Sequence, residues 1–308
     1  MKKAAFLFPG QGSQSVGMGK DFFENFQVAK EMVERASDRI KTDMKKLMFE
    51  ENDLLEQTEY TQPAILLVSS IAHKIFENEM NIKSSFALGH SLGEFSALVS
   101  VGALDFEDAV ELVHKRGLLM KKACEGKGAG MMALLGLEDE KVENMCEEFR
   151  KEGKKIWPAN YNSDGQIVVA GIKEDLKAVE GIFKAEGAKR AIVLNMSVAS
   201  HCPLLESAVS GLRPYLEEFL KDEFLSKVIS NVTAKEYSSK KEALDLLTKQ
   251  LVMPVKYKQS VRNYEDEADV FIEFGGSVLR GLNRKITKKP TISVTDTASL
   301  ENSFESIK

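Results

Sequence analysis

The chain begins with a continuous apolar run, Ala4-Ala5-Phe6-Leu7-Phe8, which stops at Pro9-Gly10. A short run without polar alternation fits a strand buried on both faces, as in a parallel sheet. The next strong pattern is helical: Ile65, Leu66, Val68, Ile71, Ala72 and Ile75 recur at the three-and-four spacing of one helix face. The spacing predicts a helix beginning at Thr61-Gln62-Pro63, with the proline in the first turn, where its missing N–H has no partner to lose. Ser85-Phe86-Ala87-Leu88 is a second short apolar run, and Glu94-Phe95-Ser96-Ala97-Leu98-Val99 reads as a helix start. Asp105 stands as N-cap of a long helix running to about Ala123, with Glu107 and Asp108 near its positive end.

The pattern changes at the glycine-rich stretch 125–130. Beyond it the periodicities predict a strand over 131–137, a helix over 138–150 and two strands around 160–171. A helix over 174–186 and a strand over 190–194 follow. This βαββαβ order is that of a split βαβ, or ferredoxin-like, unit. The expected architecture is therefore α/β in two parts. Residues 1–126 and 196–308 form a larger, discontinuous, α/β-hydrolase-like subdomain with a mostly parallel sheet, and 127–195 form a smaller inserted one. Residues 270–274 and 291–294 read as further buried strands of the larger part.

Composition narrows the class. Across 308 residues, 43% hydrophobic and 29% charged positions are ordinary for a soluble globular protein. A formal net charge of −5 argues against a general nucleic-acid binder, which carries a basic surplus. Cys124, Cys146 and Cys202 are odd in number and widely spaced, which fits neither a disulfide framework nor a zinc site. A reducing compartment follows. No apolar stretch approaches the roughly 20 residues of a membrane span, and the run after Lys2 and Lys3 is too short for a signal peptide. The expectation is a soluble, cytoplasmic protein.

Candidate chemistry centres on Gly89-His90-Ser91-Leu92-Gly93, the Gly-x-Ser-x-Gly form that exposes a serine on a sharp strand-to-helix turn. A serine hydroxyl needs a base. Of four histidines, His73 falls within a helix and reads as structural, His90 adjoins the serine and points away from it, and His114 reads as solvated among Lys and Glu. His201 remains, in a loop of small residues after a strand, where catalytic groups of open α/β folds gather. A buried structural histidine would give the same pattern. Oxyanion donors are also required. The N–H of Leu92 is one, and the loop Pro9-Gly10-Gln11-Gly12-Ser13-Gln14 can bring a second, although a plain turn fits that loop equally. The loop is no dinucleotide fingerprint, because Ser15 stands where the third glycine is needed. Arg116 shares a helix face with Ala109, Leu112, Val113, Leu119, Met120 and Ala123. A guanidinium there is either in a structural salt bridge or free to clamp a substrate carboxylate.

Taken together, several motifs resemble the malonyl-CoA:acyl carrier protein transacylases and the wider acyltransferase family. They are Phe8-Pro9-Gly10-Gln11-Gly12-Ser13-Gln14, Thr61-Gln62-Pro63-Ala64, Gly89-His90-Ser91-Leu92-Gly93-Glu94, Arg116-Gly117, Ser200-His201, Ser230-Asn231-Val232-Thr233 and Gln250-Leu251 followed by Pro254-Val255. The resemblance spans nearly the whole chain. It implies ping-pong transfer of a malonyl group from malonyl-CoA, through Ser91, to the phosphopantetheine thiol of acyl carrier protein. His201 would be the base, the N–H groups of Gln11 and Leu92 the oxyanion donors, and Arg116 the partner of the malonyl carboxylate. The Gln250 carbonyl would orient the histidine in place of a carboxylate. Met120, Asn160, Asn162 and Val198 would line the cleft. No bound cofactor or metal, no nucleic acid or membrane partner, and a monomer are expected.

The chain departs from the family in two places. Val198-Ala199-Ser200-His201 is similar to methylmalonyl-type sequences as well as to malonyl-specific stand-alone enzymes, so another extender is the alternative donor. Gly275-Gly276-Ser277 stands where Gly-Pro-Gly is common. A serine esterase or thioesterase is the rival enzyme, although the His-Gly-Gly-Gly oxyanion motif is missing. A scaffold without turnover would lack Ser91, Arg116 or His201, and all three are present. An acidic carrier protein would call for basic residues at the cleft rim, for which Lys121, Lys122, Lys127, Lys189 and Arg190 are candidates.

Overall fold

The computed structural model describes residues 2–80 and 82–307. β1 (Ala4–Phe8) leads into the helices α1 (Lys20–Asn25), α2 (Gln27–Ile40) and α3 (Met44–Phe49). Next come α4 (Thr58–Met80), β2 (Ala87–Gly89), α5 (Gly93–Ser100) and α6 (Phe106–Cys124). The middle of the chain is β3 (Ala129–Leu135), α7 (Asp139–Lys151), β4 (Ile156–Ser163), β5 (Gln166–Ile172), α8 (Lys173–Ala185) and β6 (Arg190–Val193). Then follow α9 (Glu206–Phe219), β7 (Val228–Ile229), β8 (Glu236–Tyr237), α10 (Lys240–Gln250) and α11 (Tyr257–Tyr264). β9 (Val270–Phe274), α12 (Val278–Asn283), β10 (Thr291–Val294) and α13 (Thr297–Ile307) close it.

Two sheets result. The larger has the order β10-β9-β1-β2-β7-β8 and is parallel except for β8. Every residue of β1 is buried between β2 and β9, as the unbroken apolar run requires. The smaller sheet, β4-β5-β3-β6, is antiparallel throughout. Its side chains alternate between two cores. Met132, Leu134, Ile167 and Val169 pack with α7 and α8, whereas Met131, Val168 and Ala170 join the core of the larger sheet. A second link joins the sheets at β4. Val255 donates to Ala159 O at 2.8 Å and accepts from Tyr161 N at 2.8 Å, and Lys258 Nζ meets Asp139 at 2.6 Å.

Some expectations need correction. β3 begins at Ala129, two residues before the expected 131. α4 starts at Thr58, so Pro63 lies sixth in the helix and not in its first turn. Proline offers no N–H to the Glu59 carbonyl one turn back. His114 supplies the missing bond: its Nδ1 donates to Glu59 O at 2.7 Å. His114 is therefore half-buried and engaged, not solvated. Asp105 occupies the N-cap of α6, but its side chain makes no cap bond and pairs with Lys221 Nζ at 2.5 Å. His73 is a core residue, with its ring edge-on to Phe6 and Phe274 at 5.3 and 5.2 Å between centroids. Among the described residues no helix is long and apolar enough to cross a membrane.

Glycine has sharply different uses here. A Cβ on Gly89 would lie 1.8 Å from the Gly93 carbonyl carbon, whereas one on Gly181 in α8 would meet nothing within 4 Å. Gly89→Ala is expected to abolish folding of the turn, with loss of activity and a lowered thermal midpoint. Gly181→Ala should stabilise by about 0.5–1 kcal/mol, as glycine-to-alanine changes do at open helix positions. Thermal unfolding of the two variants beside the parent checks both.

Candidate active site

The site forms where the first strand's loop meets the serine turn. A Cβ on Gly93 would fall 1.9 Å from Phe8 O, and one on Gly10 would fall 2.3 Å from His90 O. Only glycine permits that approach of two backbones. Ser91, between Gly89 and Gly93, has φ 53, in the left-handed region. A non-glycine residue there needs outside support. Asn231, just after β7, supplies it. Its Oδ1 accepts from Ser91 N at 2.7 Å and its Nδ2 donates to Gly89 O at 2.7 Å.

His201 also has a left-handed φ, at 60, and its Nε2 lies 2.7 Å from Ser91 Oγ. Its Nδ1 lies 2.7 Å from Gln250 O. A carbonyl can only accept, so Nδ1 carries the proton and Nε2 is left to accept from the serine. Gln250 is the last residue of α10, where carbonyls lack helical partners and carry the negative end of the dipole. Burial, with the positive charge of Arg116, pushes the His201 pKa down to about 3. The imidazole is thus a neutral base at physiological pH. His90 points away from Ser91, with Nε2 on Asn162 Oδ1 at 2.7 Å.

Arg116 is 2% exposed. Nη1 donates to Gln62 Oε1 at 2.6 Å and Nη2 to Gln250 Oε1 at 3.0 Å, while Nη2 also reaches Ser91 Oγ at 3.3 Å. Its guanidinium carbon stands 5.3 Å from the centre of the Phe95 ring. Nε has no hydrogen-bond partner among the described residues. Burial lowers the pKa to about 10, with Glu94 acting against the shift, so the group stays charged. Neutral amide oxygens hold it, and no carboxylate is among its hydrogen-bond partners.

A cavity of about 140 Å³ opens over Ser91, with Gln11, Leu92, Met120, Asn160 and Asn162 in its walls. Val198 lies instead in an adjoining cavity of about 330 Å³, which shares Gln11 and Met196 with the first. The N–H groups of Gln11 and Leu92 have no hydrogen-bond partner among the described residues. A third cavity of about 500 Å³ continues outward past Lys121, Lys122 and Lys173. Among the described residues no group of three His, Cys, Asp or Glu side chains could hold a metal ion.

Three side chains escaped the sequence-based assignment of roles: Gln62, Asn231 and Glu94. Glu94 is 1% exposed, and burial pushes its pKa up to about 7 against hydrogen bonds from Gln250, Asn231 and Tyr237. A signal for it existed. Three residues beyond Ser91, on the first turn of α5, its side chain must project back beneath the nucleophile.

A part-buried serine hydroxyl bonded to a buried imidazole, with two free N–H groups and a fixed cation beside it, is an arrangement that suits acyl transfer. The acyl transferase domain family matches residues 5–292. The chain belongs to that family. It is 38% identical to the malonyl CoA-acyl carrier protein transacylase of Bacillus subtilis, over 100% of this chain and 98% of that one. The enzyme of the same name from Haemophilus influenzae is 39% identical, over 97% of each chain. The crystal structure of malonyl-CoA:acyl carrier protein transacylase from Helicobacter pylori superposes with a TM-score of 0.97 at 49% identity, covering 100% of this chain and 99% of that one. A malonyl-transacylase solved in complex with its type II polyketide acyl carrier protein superposes with a TM-score of 0.94 at 36% identity, over 99% of each. The mixed α/β architecture, with a mostly parallel sheet beside an antiparallel one, is that of these relatives.

For this family member, the folded-state pKa of His201 lies below its unfolded value, so its ring should stay neutral far into acid. Nitrogen NMR of ring-labelled protein at pH 5.5 is expected to give a neutral, Nδ1-protonated His201, and an imidazolium pattern there would overturn the assignment.

Proposed function

We propose that the protein transfers a malonyl group from malonyl-CoA to the phosphopantetheine thiol of acyl carrier protein, supplying fatty-acid chain elongation. Ser91 Oγ attacks the thioester carbonyl while His201 Nε2 takes its proton. The oxyanion is received by the N–H groups of Gln11 and Leu92. Collapse of the intermediate expels the coenzyme A sulfur, which recovers the proton from His201 and leaves a malonyl-serine ester. The carrier thiol then gives its proton to His201 and attacks the ester, and Ser91 regains its proton as the product thioester leaves. Side chains and main-chain N–H groups of the protein supply every step, without a bound cofactor.

One observation carries the choice of donor. Arg116 is a buried cation held by neutral amides, with one N–H turned to the nucleophile and Nε unpaired. A malonyl carboxylate supplies the missing anion, and guanidinium geometry suits it. An acetyl group brings that guanidinium no carboxylate to bind. Domain organisation fits this reading: residues 127–195 act as a ferredoxin-like subdomain set over the larger discontinuous one (1–126 and 196–308), and the acyl-serine lies between them, sheltered from water.

The row of three cavities suits the long pantetheine arm. Of the expected rim cations, Lys121 and Lys122 line the outer cavities, joined by Lys173. Lys121 is already tied to Glu59 and Gln57. Lys127 reaches Leu204 O at 3.2 Å, while Lys189 covers Gly136. Lys122 and Lys173 are thus the cations we assign to phosphate or carrier contacts.

Intact-mass spectrometry after mixing with malonyl-CoA should show a malonyl adduct that disappears in Ser91→Ala. Free malonate without acyl-thiol product would indicate a thioesterase instead. Arg116→Ala should lower malonyl transfer at least ~100-fold more than acetyl transfer, on the scale of a lost buried charge pair. Equal losses with both donors would sink the clamp. In a separate measurement, Lys122→Glu with Lys173→Glu should lower kcat/KM for the carrier protein about 10-fold at low salt, with the defect fading at high salt. A salt-independent rate equal to the parent's would remove the two lysines from the path.

A further inference from the structure

We propose that Glu94 is a positioning residue for donor choice: it fixes the side-chain amide of Gln250, and through it the angle at which Arg116 presents its guanidinium beside Ser91. The proposal rests on reading Arg116 as the carboxylate clamp.

Gln250 has two separate duties. Its main-chain oxygen orients His201, while its side chain lies between Glu94 and Arg116. Nε2 donates to Glu94 Oε2 at 2.7 Å and to Ser91 O at 3.0 Å, and Oε1 accepts from Arg116 Nη2 at 3.0 Å. An amide turned over would set its NH₂ against the guanidinium, donor against donor. Glu94 Oε2, together with the Ser91 carbonyl, accepts from Nε2 and forbids this.

The surroundings of Glu94 present a donor to each of its oxygens. Oε1 receives the Tyr237 hydroxyl at 2.9 Å, and Oε2 receives Asn231 N at 3.2 Å as well as Gln250 Nε2. Three donors face two oxygens, and charge-assisted bonds of this kind are the strong ones. A carboxamide in this place keeps one oxygen for the two N–H donors, finds an acceptor for its NH₂ only if the Tyr237 hydroxyl turns round, and loses the negative charge. Glu94 touches neither the nucleophile's hydroxyl nor the cavity, so its influence on the acyl group passes through Gln250. In its ionised form it also places a negative charge one amide away from Arg116, close enough to support the buried cation without occupying the donors that a substrate carboxylate needs.

The test compares kcat/KM for malonyl-CoA and acetyl-CoA in Glu94→Gln, Gln250→Met, the double variant and Arg116→Ala, with thermal midpoints beside them. Gln250→Met keeps the carbonyl that holds His201 and removes only the amide. Each single variant is expected to lower the malonyl-to-acetyl ratio about 10-fold, the scale of one hydrogen bond to a charged group, and the double variant no further. If Arg116→Ala leaves the ratio unchanged, the clamp reading itself fails. Should Arg116→Ala collapse the ratio while Glu94→Gln lowers both donors equally, Glu94 is structural only and the proposal is overturned. If Glu94→Gln does not fold, Gln250→Met decides: a parental ratio there overturns the relay through the amide.

Discussion

The contact on which the rest of the site depends is the approach of two backbones, the end of β1 and the turn between β2 and α5. It is closer than any side-chain-bearing residue would permit at Gly10 or Gly93, and Gly89 is needed in turn for the tight closure of the turn onto Gly93. Parallel pairing of β1 with β2 brings the strand ends level, with Phe8 opposite Gly89. The glycines then let the chain after Phe8 lie directly over the turn. From this one contact, Leu92 and Gln11 come to border the same small cavity, each with a free N–H. The turn also forces Ser91 into a left-handed backbone, and Asn231, just beyond the neighbouring strand, holds it there. Strain at a nucleophile persists only when its neighbours over-determine it.

Electrostatics then explains a choice that geometry leaves free. Histidine bases are commonly oriented by a carboxylate, yet here a helix-terminal carbonyl does so. Arg116 approaches the same serine, at 3.3 Å from its hydroxyl. A carboxylate at His201 Nδ1 would place a resident anion close to that guanidinium and compete with a substrate carboxylate for it. A carbonyl fixes the tautomer with no such competition. The same logic accounts for the neutral amides of Gln62 and Gln250 around Arg116, and for the buried carboxylate of Glu94 standing behind an amide. Neutral orienters leave the cation unspent.

Much of this was legible in the sequence where a pattern is local. The apolar run 4–8, the strands at 270–274 and 291–294, and the alternation of strands and helices from 129 to 193 follow from periodicity within a few residues. The two-residue strands β7 and β8 are too short to carry any period. Pro63 misled because its position is tolerated through a tertiary bond: His114, 55 residues away from Glu59, caps the carbonyl that proline strands. Lysines and glutamates around His114 hid that role. Arg116 was ambiguous for the same reason. Its partners lie 54 and 134 residues away, so no local reading could distinguish an ion pair from an amide cradle. Glu94 was the readable exception, a lone carboxylate inside the apolar stretch that follows the nucleophile.

The link between the two sheets gives the remaining constraint. Val255 pairs with β4 on both sides of Asn160, and it lies five residues beyond Gln250, whose carbonyl orients His201. Asn162, on the same strand, holds His90 beside Ser91. The smaller sheet is therefore fastened to His201 through one short segment and to the serine turn through one hydrogen bond. A shift of β4 toward or away from the larger sheet would carry both attachments with it. The wall that closes the cavity and the group that orients the base are parts of a single backbone connection. Enclosure of the cavity and alignment of His201 are, on this construction, one structural event.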